Sequence, residues 1–326
     1  MAVLIEADKF EEFKQLAYEE NLDSCIVAVV TEERRLVMSF HGEEIVNISR
    51  DFLDTNGVRG LQDVLIREGL SDTDPFHSKV TSVEENLKQP NVASQIGLAE
   101  MFDASIGKST VLMPFGGKYQ LTETEGSVQK LPVFGFTNTC SIMTHGYHPE
   151  LSLYSPYLGA SYSVVEALAR VTAMGGNYET CRLTNQEYFE RLHTDPEKWG
   201  KPMQALLGLI EAEMAFETPA IGGKDSMSGT FNDISVPPTL ITFAVTTEKT
   251  EHIISPEFKE AGHHIYYIKH TPNDNQTPNY EELKANFAKV RELIRKGVIC
   301  SAATVKFGGL AEALCKMSFG NKSVLR

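Results

Sequence analysis

Residues 220–229 read Ala220-Ile221-Gly222-Gly223-Lys224-Asp225-Ser226-Met227-Ser228-Gly229 and hold the most informative chemistry in the chain. Two adjacent glycines let backbone approach a ligand closely, and successive N–H groups can cradle an anion. Lys224 adds a mobile positive charge, Asp225 can hold Mg²⁺ or orient a nucleophile, and Ser226 offers a hydroxyl to a phosphate or ligand oxygen. Residues 219–221 are predicted as a short strand, Gly222-Gly223 as a turn and 224–226 as a polar tip. The Walker A pattern needs a further glycine six positions before the lysine, and Thr218 stands there. An exposed surface turn with a Lys-Asp pair is the competing reading.

Working outward, residues 201–217 have helical periodicity. Leu206, Leu207, Ile210 and Met214 are expected on the inner side, with Glu211, Glu213 and Glu217 opposite. An earlier helix is expected from Ser161, with Ser163 as cap, Val164, Val165, Leu168, Val171 and Thr172 inward, and Gly175-Gly176 as the stop. Glu166 lies among these apolar residues, and an unpaired carboxylate there is costly, so it requires a cation or a metal. Arg170, one turn later, makes a favourable i,i+4 partner. Glu123-Thr124-Glu125-Gly126 adds two loop acids, and Asn185 follows a strand-like run. Residues 110–114, 131–136 and 239–246 are predicted strands. The tail repeats strand and helix, with strands at 264–269 and 298–303 and a helix at 280–296. At the other end a helix at 8–20, opened by Asp8, precedes β-rich runs at 25–31, 36–40 and 44–48.

The whole chain has 326 residues, 42% apolar and 23% charged, with a formal charge of −14. This composition excludes disorder, collagen and a small disulfide scaffold. Acidic residues spread along the chain, which leaves no basic footprint for nucleic acid or anionic lipid. No membrane span or signal peptide is evident, so the expected location is cytoplasmic. The five cysteines lie far apart and are expected to be reduced and mostly buried, without zinc. The histidines, including His145, His148, His263 and His264, lack metal or triad spacing and are read as turn and surface residues.

The run 219–228, preceded by the helix carrying Glu166-Ala167-Leu168, resembles the second half of large-form phosphoribosylformylglycinamidine synthase, a purine-pathway amidotransferase. The resemblance implies an α+β fold: an A-type α/β domain with a mostly antiparallel sheet, flanked by partial B-type α/β domains. Residues 1–56 correspond to the end of a first B-type domain, 57–108 to a linker with short helices, 109–252 to the second A-type domain and 253–326 to the start of a truncated second B-type domain. It also implies ATP and Mg²⁺ as cofactors and a phosphorylated ribonucleotide substrate. The formyl amide oxygen is phosphorylated, and ammonia from glutamine then displaces phosphate.

On this resemblance Gly222, Gly223, Lys224, Asp225, Ser226 and Asn185 are candidates for ATP and substrate binding. Glu166 matches a Mg²⁺-coordinating helix acid at a structural nucleotide site, and Glu125 stands in for a loop Asp there. Three departures bear on that site. Many family members have Asn where this chain has Arg170. A His-Asp-x-Ser-Asp-Gly-Gly run is replaced by Ala303-Thr304-Val305-Lys306-Phe307-Gly308-Gly309, so a metal-binding Asp becomes Thr304 and a Ser becomes Lys306. The expectation is a metal-poor or empty structural site, with Glu166 paired to Arg170.

The chain carries no glutaminase-like nucleophile elbow and no first A-type domain, so by itself it is expected to be inactive. The remaining synthetase and glutaminase domains of a parent chain are the implied partners, and a homodimer through the A-type sheet is expected of the isolated piece. A non-catalytic nucleotide-binding or assembly scaffold is the alternative. A third possibility is aminoimidazole ribonucleotide synthetase, from the same superfamily.

Overall fold

A computed structural model describes residues 2–55, 57, 60–67, 69, 75–76, 80–105 and 109–323. The chain divides into two compact units, Met1–Leu61 and Gln62–Arg326.

In the first unit a helix, Phe10–Glu19, follows a 3₁₀ turn at Ala7–Lys9, and Asp8 lies inside that turn without capping it. The strands Arg35–Phe40 and Glu43–Ser49 form an antiparallel hairpin. His41 and Gly42 connect them with positive φ angles of 51° and 87°, the conformation whose twist matches a two-residue hairpin. The strand predicted at 25–31 does not form, and Ile26, Val27, Val29 and Val30 are exposed. No described residue of this unit is fully buried.

The second unit is built on a six-stranded sheet. Its strands are β1 (Thr110–Leu112), β2 (Ser127–Lys130), β3 (Thr139–Gly146), β4 (Arg182–Tyr188), β5 (Ala220–Ser226) and β6 (Thr239–Lys249), in the spatial order β1-β2-β3-β6-β4-β5. Every pairing is antiparallel except that of β4 with β5. Parallel neighbours need a long crossover, and helix α3 (Pro196–Phe216) lies between them in sequence. The architecture is therefore mixed α/β with a mostly antiparallel sheet.

Strand β6 alternates strictly, burying Leu240, Thr242, Ala244, Thr246 and Glu248. These side chains face α2 (Pro156–Ala173), which follows the short helix α1 (Pro149–Tyr154). Leu168, Val164, Ile142, Leu183, Met174 and Phe189 form the centre of the core. The cap of α2 is Ser155, whose side chain accepts from Leu158 N–H. Ser163, expected to cap, lies mid-helix and bonds Ala160 O and Thr242 Oγ1. Gly175 ends the helix at φ 96°, where a Cβ would meet His252 O at 2.1 Å.

Helix α3 turns the opposite way from its apolar pattern. Ala205, Gly208, Leu209, Ala212 and Phe216 are buried, whereas Leu206, Leu207, Ile210 and Met214 are exposed. The contact with α2 requires small residues, because a Cβ on Gly208 would lie 2.1 Å from Tyr157 O. Close helix approach outweighs the burial of larger side chains here.

Helices α4 (Tyr280–Arg295) and α5 (Gly309–Phe319) complete this unit. The strands predicted at 131–136, 264–269 and 298–303 do not form, and Phe134, Phe136, Tyr266 and Val298 are exposed. Of the five cysteines, only Cys140 and Cys181 are buried. Among the described residues no helix is long and apolar enough to cross a membrane.

Glu248, at the end of β6, fastens α4 to the sheet. Its carboxylate contacts Arg295 at 2.9 Å, Arg291 at 3.3 Å and His252 at 3.0 Å. Burial alone would raise its pKa, but the bonds from His252, Lys249 N–H and Arg295 outweigh that and hold it at about 2. Because the folded value lies below the ordinary 4.5, this stabilisation is fully present above about pH 4.5 and is lost as pH falls towards 2. Glu248→Gln should cost about 1–3 kcal/mol at pH 7, measured by urea unfolding, and should remove that acid-range dependence.

Candidate functional site

The stretch that carries the sequence motif is an edge strand, not a turn. Gly222 and Gly223 lie inside β5, and neither has positive φ. Parallel pairing aligns Gly222 with Thr184, Gly223 with Asn185, Lys224 with Gln186 and Asp225 with Glu187. Pairing with β4 holds this backbone extended along one edge, so it is not folded into an anion cradle. Gly223 is needed for close strand approach, since a Cβ there would sit 2.6 Å from Asn185 O, while Gly222 faces open space.

The alternation of a strand separates residues expected to act together at one tip. Gly222, Lys224 and Ser226 fall on one face, and Gly223 and Asp225 on the other. Lys224 is exposed, with Nζ 5.4 Å from the centre of the Tyr188 ring and donating to Asp225 O at 3.3 Å. Ser226 Oγ lies 3.2 Å from Ser228 Oγ.

Behind this strand is a polar group in which the candidate Asn185 is joined by two acids, Glu187 and Glu213, that the sequence did not single out as site residues. Asn185 is buried and donates through Nδ2 to Glu213 Oε1 at 3.0 Å, leaving its Oδ1 without a partner. Two residues on, Glu187 is 7% exposed and its Oε1 also lacks a partner. Burial, reinforced by Asp225, pushes the Glu187 carboxyl up to about 7, and burial also raises Glu213. The available signal was the period-2 placement of Leu183, Asn185 and Glu187, which puts two polar residues at inward positions of β4.

The second set of candidates lines a cavity of about 2130 Å³ bordered by β3, α2, α5 and residues 258–270 and 298–307. Glu125 and Glu166 lie on its wall or beside it, whereas no residue of β4 or β5 does. The structure therefore does not bring the two candidate sets together.

Glu125 is 2% exposed and accepts from both Thr304 N–H, at 3.3 Å, and the Thr304 hydroxyl, with Lys306 Nζ at 3.7 Å. Glu166 accepts from Arg170 through Oε1 and from Tyr147 N–H through Oε2 at 3.1 Å. Arg170 also reaches His145 Nε2 at 3.4 Å. Alongside, Lys316 bridges Glu123 at 2.7 Å and Glu312 at 2.9 Å. His148, read as a surface residue, caps α1 by accepting Leu151 N–H at its Nδ1.

These contacts do not fit the Mg²⁺ expected at Glu166 and Glu125. Mg²⁺ demands near-octahedral oxygen ligation, and all four carboxylate oxygens already accept from protein donors. Among the described residues no group of three or more His, Cys, Asp or Glu could hold a metal ion.

A pH test follows from Glu187. Its folded pKa lies above the ordinary 4.5, so stability is greatest below about pH 4.5 and falls as pH rises through about 7. Glu187→Gln should flatten that decline and stabilise the protein at pH 8, by an amount on the order of 2 kcal/mol, as read by thermal and urea unfolding across pH 4–8 (about the span of the shift).

No protein-family model matches the chain. It is 22% identical over 98% of its length to the phosphoribosylformylglycinamidine synthase subunit PurL of Methanocaldococcus jannaschii, and 24% identical over 98% to that of Thermoplasma volcanium. It spans 46% and 44% of those proteins, slightly under half their length. Among solved structures, Thermotoga maritima PurL complexed with ATP matches 97% of the chain with a TM-score of 0.63 and 14% identity. The PurLQS structure from the same organism matches 95% with a TM-score of 0.65 and 17% identity. The chain covers 47% and 46% of those two chains. Both sequence and fold thus relate this chain to the PurL synthases, of which it spans a little less than half.

Proposed function

We propose that this chain is the second-half synthetase portion of a PurL-type ligase of purine biosynthesis, acting in the cytoplasm with the remaining synthetase and glutaminase domains. On this reading residues 1–56 end a first B-type domain, 57–108 link, 109–252 form the second A-type domain and 253–326 open the second B-type domain. The observation that carries it is the Gly-Gly-Lys-Asp-Ser stretch on an exposed edge strand, in a chain related to PurL over nearly its whole length.

The reaction consumes ATP, formylglycinamide ribonucleotide and glutamine. The amide oxygen attacks the γ-phosphorus, a P–O bond to ADP breaks, and an iminophosphate forms. Ammonia released from glutamine then adds at the imidate carbon, the C–O bond to phosphate breaks, and the amidine results. Such chemistry needs mainly positioning and charge neutralisation. Lys224, projecting from the edge strand, supplies a cation to a phosphate group. Asp225 and Ser226 supply an acid and a hydroxyl on opposite faces. Strand β5 then forms one wall of a composite site that the rest of the protein completes, and the isolated chain makes no product. A Mg²⁺ ion, where the reaction uses one, takes ligands from outside the Glu125 and Glu166 pair.

Related structures support nucleotide and substrate binding by that family: T. maritima PurL has been solved with ADP and with FGAR. The competing reading is a non-catalytic scaffold, favoured by the flat strand conformation of the motif. The two separate in the full-length enzyme. Lys224→Ala should lower kcat/KM about 100-fold or more, with Asp225→Ala also impaired, while unchanged synthase rates in both would leave only the scaffold.

The isolated chain should also self-associate. Edge strand β5 leaves one side of its backbone unpaired, and Met143 and Tyr188 are exposed on the open face of the sheet. Sedimentation velocity should show a dimer whose population rises with concentration, and a strictly monomeric profile over the whole range would contradict it.

A further inference from the structure

The cavity beside α2 has its charge balanced from within. Two carboxylates, Glu125 and Glu166, face two cations, Lys306 and Arg170. The side chains of this set are 2–20% exposed, so water screens them little. Thr304 N–H and hydroxyl donate to Glu125 and Tyr147 N–H to Glu166, so with Arg170 each of the four oxygens accepts a hydrogen bond.

We propose that Arg170 and Lys306 take the place of a divalent cation, leaving the cavity wall to which α2 and the segment 303–307 contribute metal-free, with Glu166 and Glu125 each neutralised by a protein cation. This rests on the reading that the chain is PurL-type, which is what raises the expectation of a metal there.

The physical case is a competition. A divalent ion taking Glu125 or Glu166 as a ligand would have to displace donors from that carboxylate while meeting the repulsion of the protein cation paired with it. Arg170 is held by its place one turn from Glu166 and by contact with His145. Lys306 is held in a segment whose Thr304 is tied to Glu125 by two hydrogen bonds. Neither cation can leave without abandoning a buried or nearly buried carboxylate, the costly state for any ion pair.

The consequence is that Glu125 stays tied to the segment 303–307, and Glu166 to Arg170, without an ion. Lys316, wedged between Glu123 and Glu312 on the same cavity wall, ties α5 to the short strand Thr122–Glu123 before β2. Three lysine or arginine side chains thus pair with four carboxylates around one cavity.

The test is Mn²⁺ binding to the 326-residue chain, followed by electron paramagnetic resonance, with folding checked by circular dichroism. The wild-type chain should show no stoichiometric Mn²⁺ site, and EDTA should leave its melting temperature unchanged. The double variant Arg170→Asn, Lys306→Ser should gain a site at least about 100-fold tighter, lost again on adding Glu166→Gln. A stoichiometric wild-type site abolished by Glu166→Gln or Glu125→Gln would overturn the proposal. So would a folded double variant that still binds no Mn²⁺, since the carboxylates would then not be latent cation ligands. Synthase activity enters none of these readouts, so failure of the catalytic role given to Lys224 would leave this result intact, and the reverse holds too.

Discussion

A strand sends successive side chains to opposite faces, and that constraint governs what this molecule can do with its most distinctive residues. Once 220–226 pairs with β4, Lys224 and Asp225 cannot serve one ligand atom from a single tip. Lys224 must work on the open face, beside Tyr188 and Gln186, while Asp225 shares its side with Glu187. The parallel pairing itself depends on α3 crossing over the sheet and packing on α2 through Gly208, and on Gly223 fitting against Asn185 O. Two glycines, one in the helix layer and one in the strand, therefore fix where the motif faces.

Much of the central layer was legible because its signals are local. The α2 periodicity around Leu168, the Gly175-Gly176 stop and the alternation in 239–246 each follow from residues close in sequence. The Arg170 partner of Glu166 was legible for the same reason, being one helical turn away. What failed were features decided by distant partners. Gly222-Gly223 has turn composition, but Thr184 and Asn185, almost forty positions earlier, hold it extended. Leu206, Leu207 and Ile210 form a good apolar stripe, yet the tight contact between α2 and α3 selects the small-residue side. Segments 25–31 and 264–269 have strand composition but no ladder, because strand character in a sequence says nothing about whether a neighbouring strand is present to pair with it.

The buried polar residues were the least legible part of the site. Nothing local distinguishes Glu187 from a solvated acid. Its raised pKa comes from the depth of β4 under the helical layer and from Asp225 across the ladder. Glu125 reads as a loop charge, and only the fold brings Thr304 and Lys306 to it across nearly 180 residues. The two acids show opposite outcomes of burial: Glu125 is given donors and a cation, while Glu187 is left with an unpartnered oxygen and a raised pKa.

That contrast separates the two regions in kind. Around the cavity, Glu125 and Glu166 each have a cation while Glu123 and Glu312 share Lys316, so the charges of Arg170, Lys306 and Lys316 are all paired. Along β4 and β5, Asn185 Oδ1 and Glu187 Oε1 are unpartnered acceptors, and Lys224 is a cation exposed to solvent. A buried acceptor without a donor is destabilising, so it is retained where another group completes it or where it sets the geometry of its neighbours. The solvent-exposed cation therefore lies on the strand, and the carboxylate-paired cations at the cavity. An anionic ligand seeking uncompensated positive charge would find Lys224 rather than Arg170 or Lys306, although the cavity is the larger space. Charge compensation, not volume, is what ranks these two surfaces as places for phosphate chemistry.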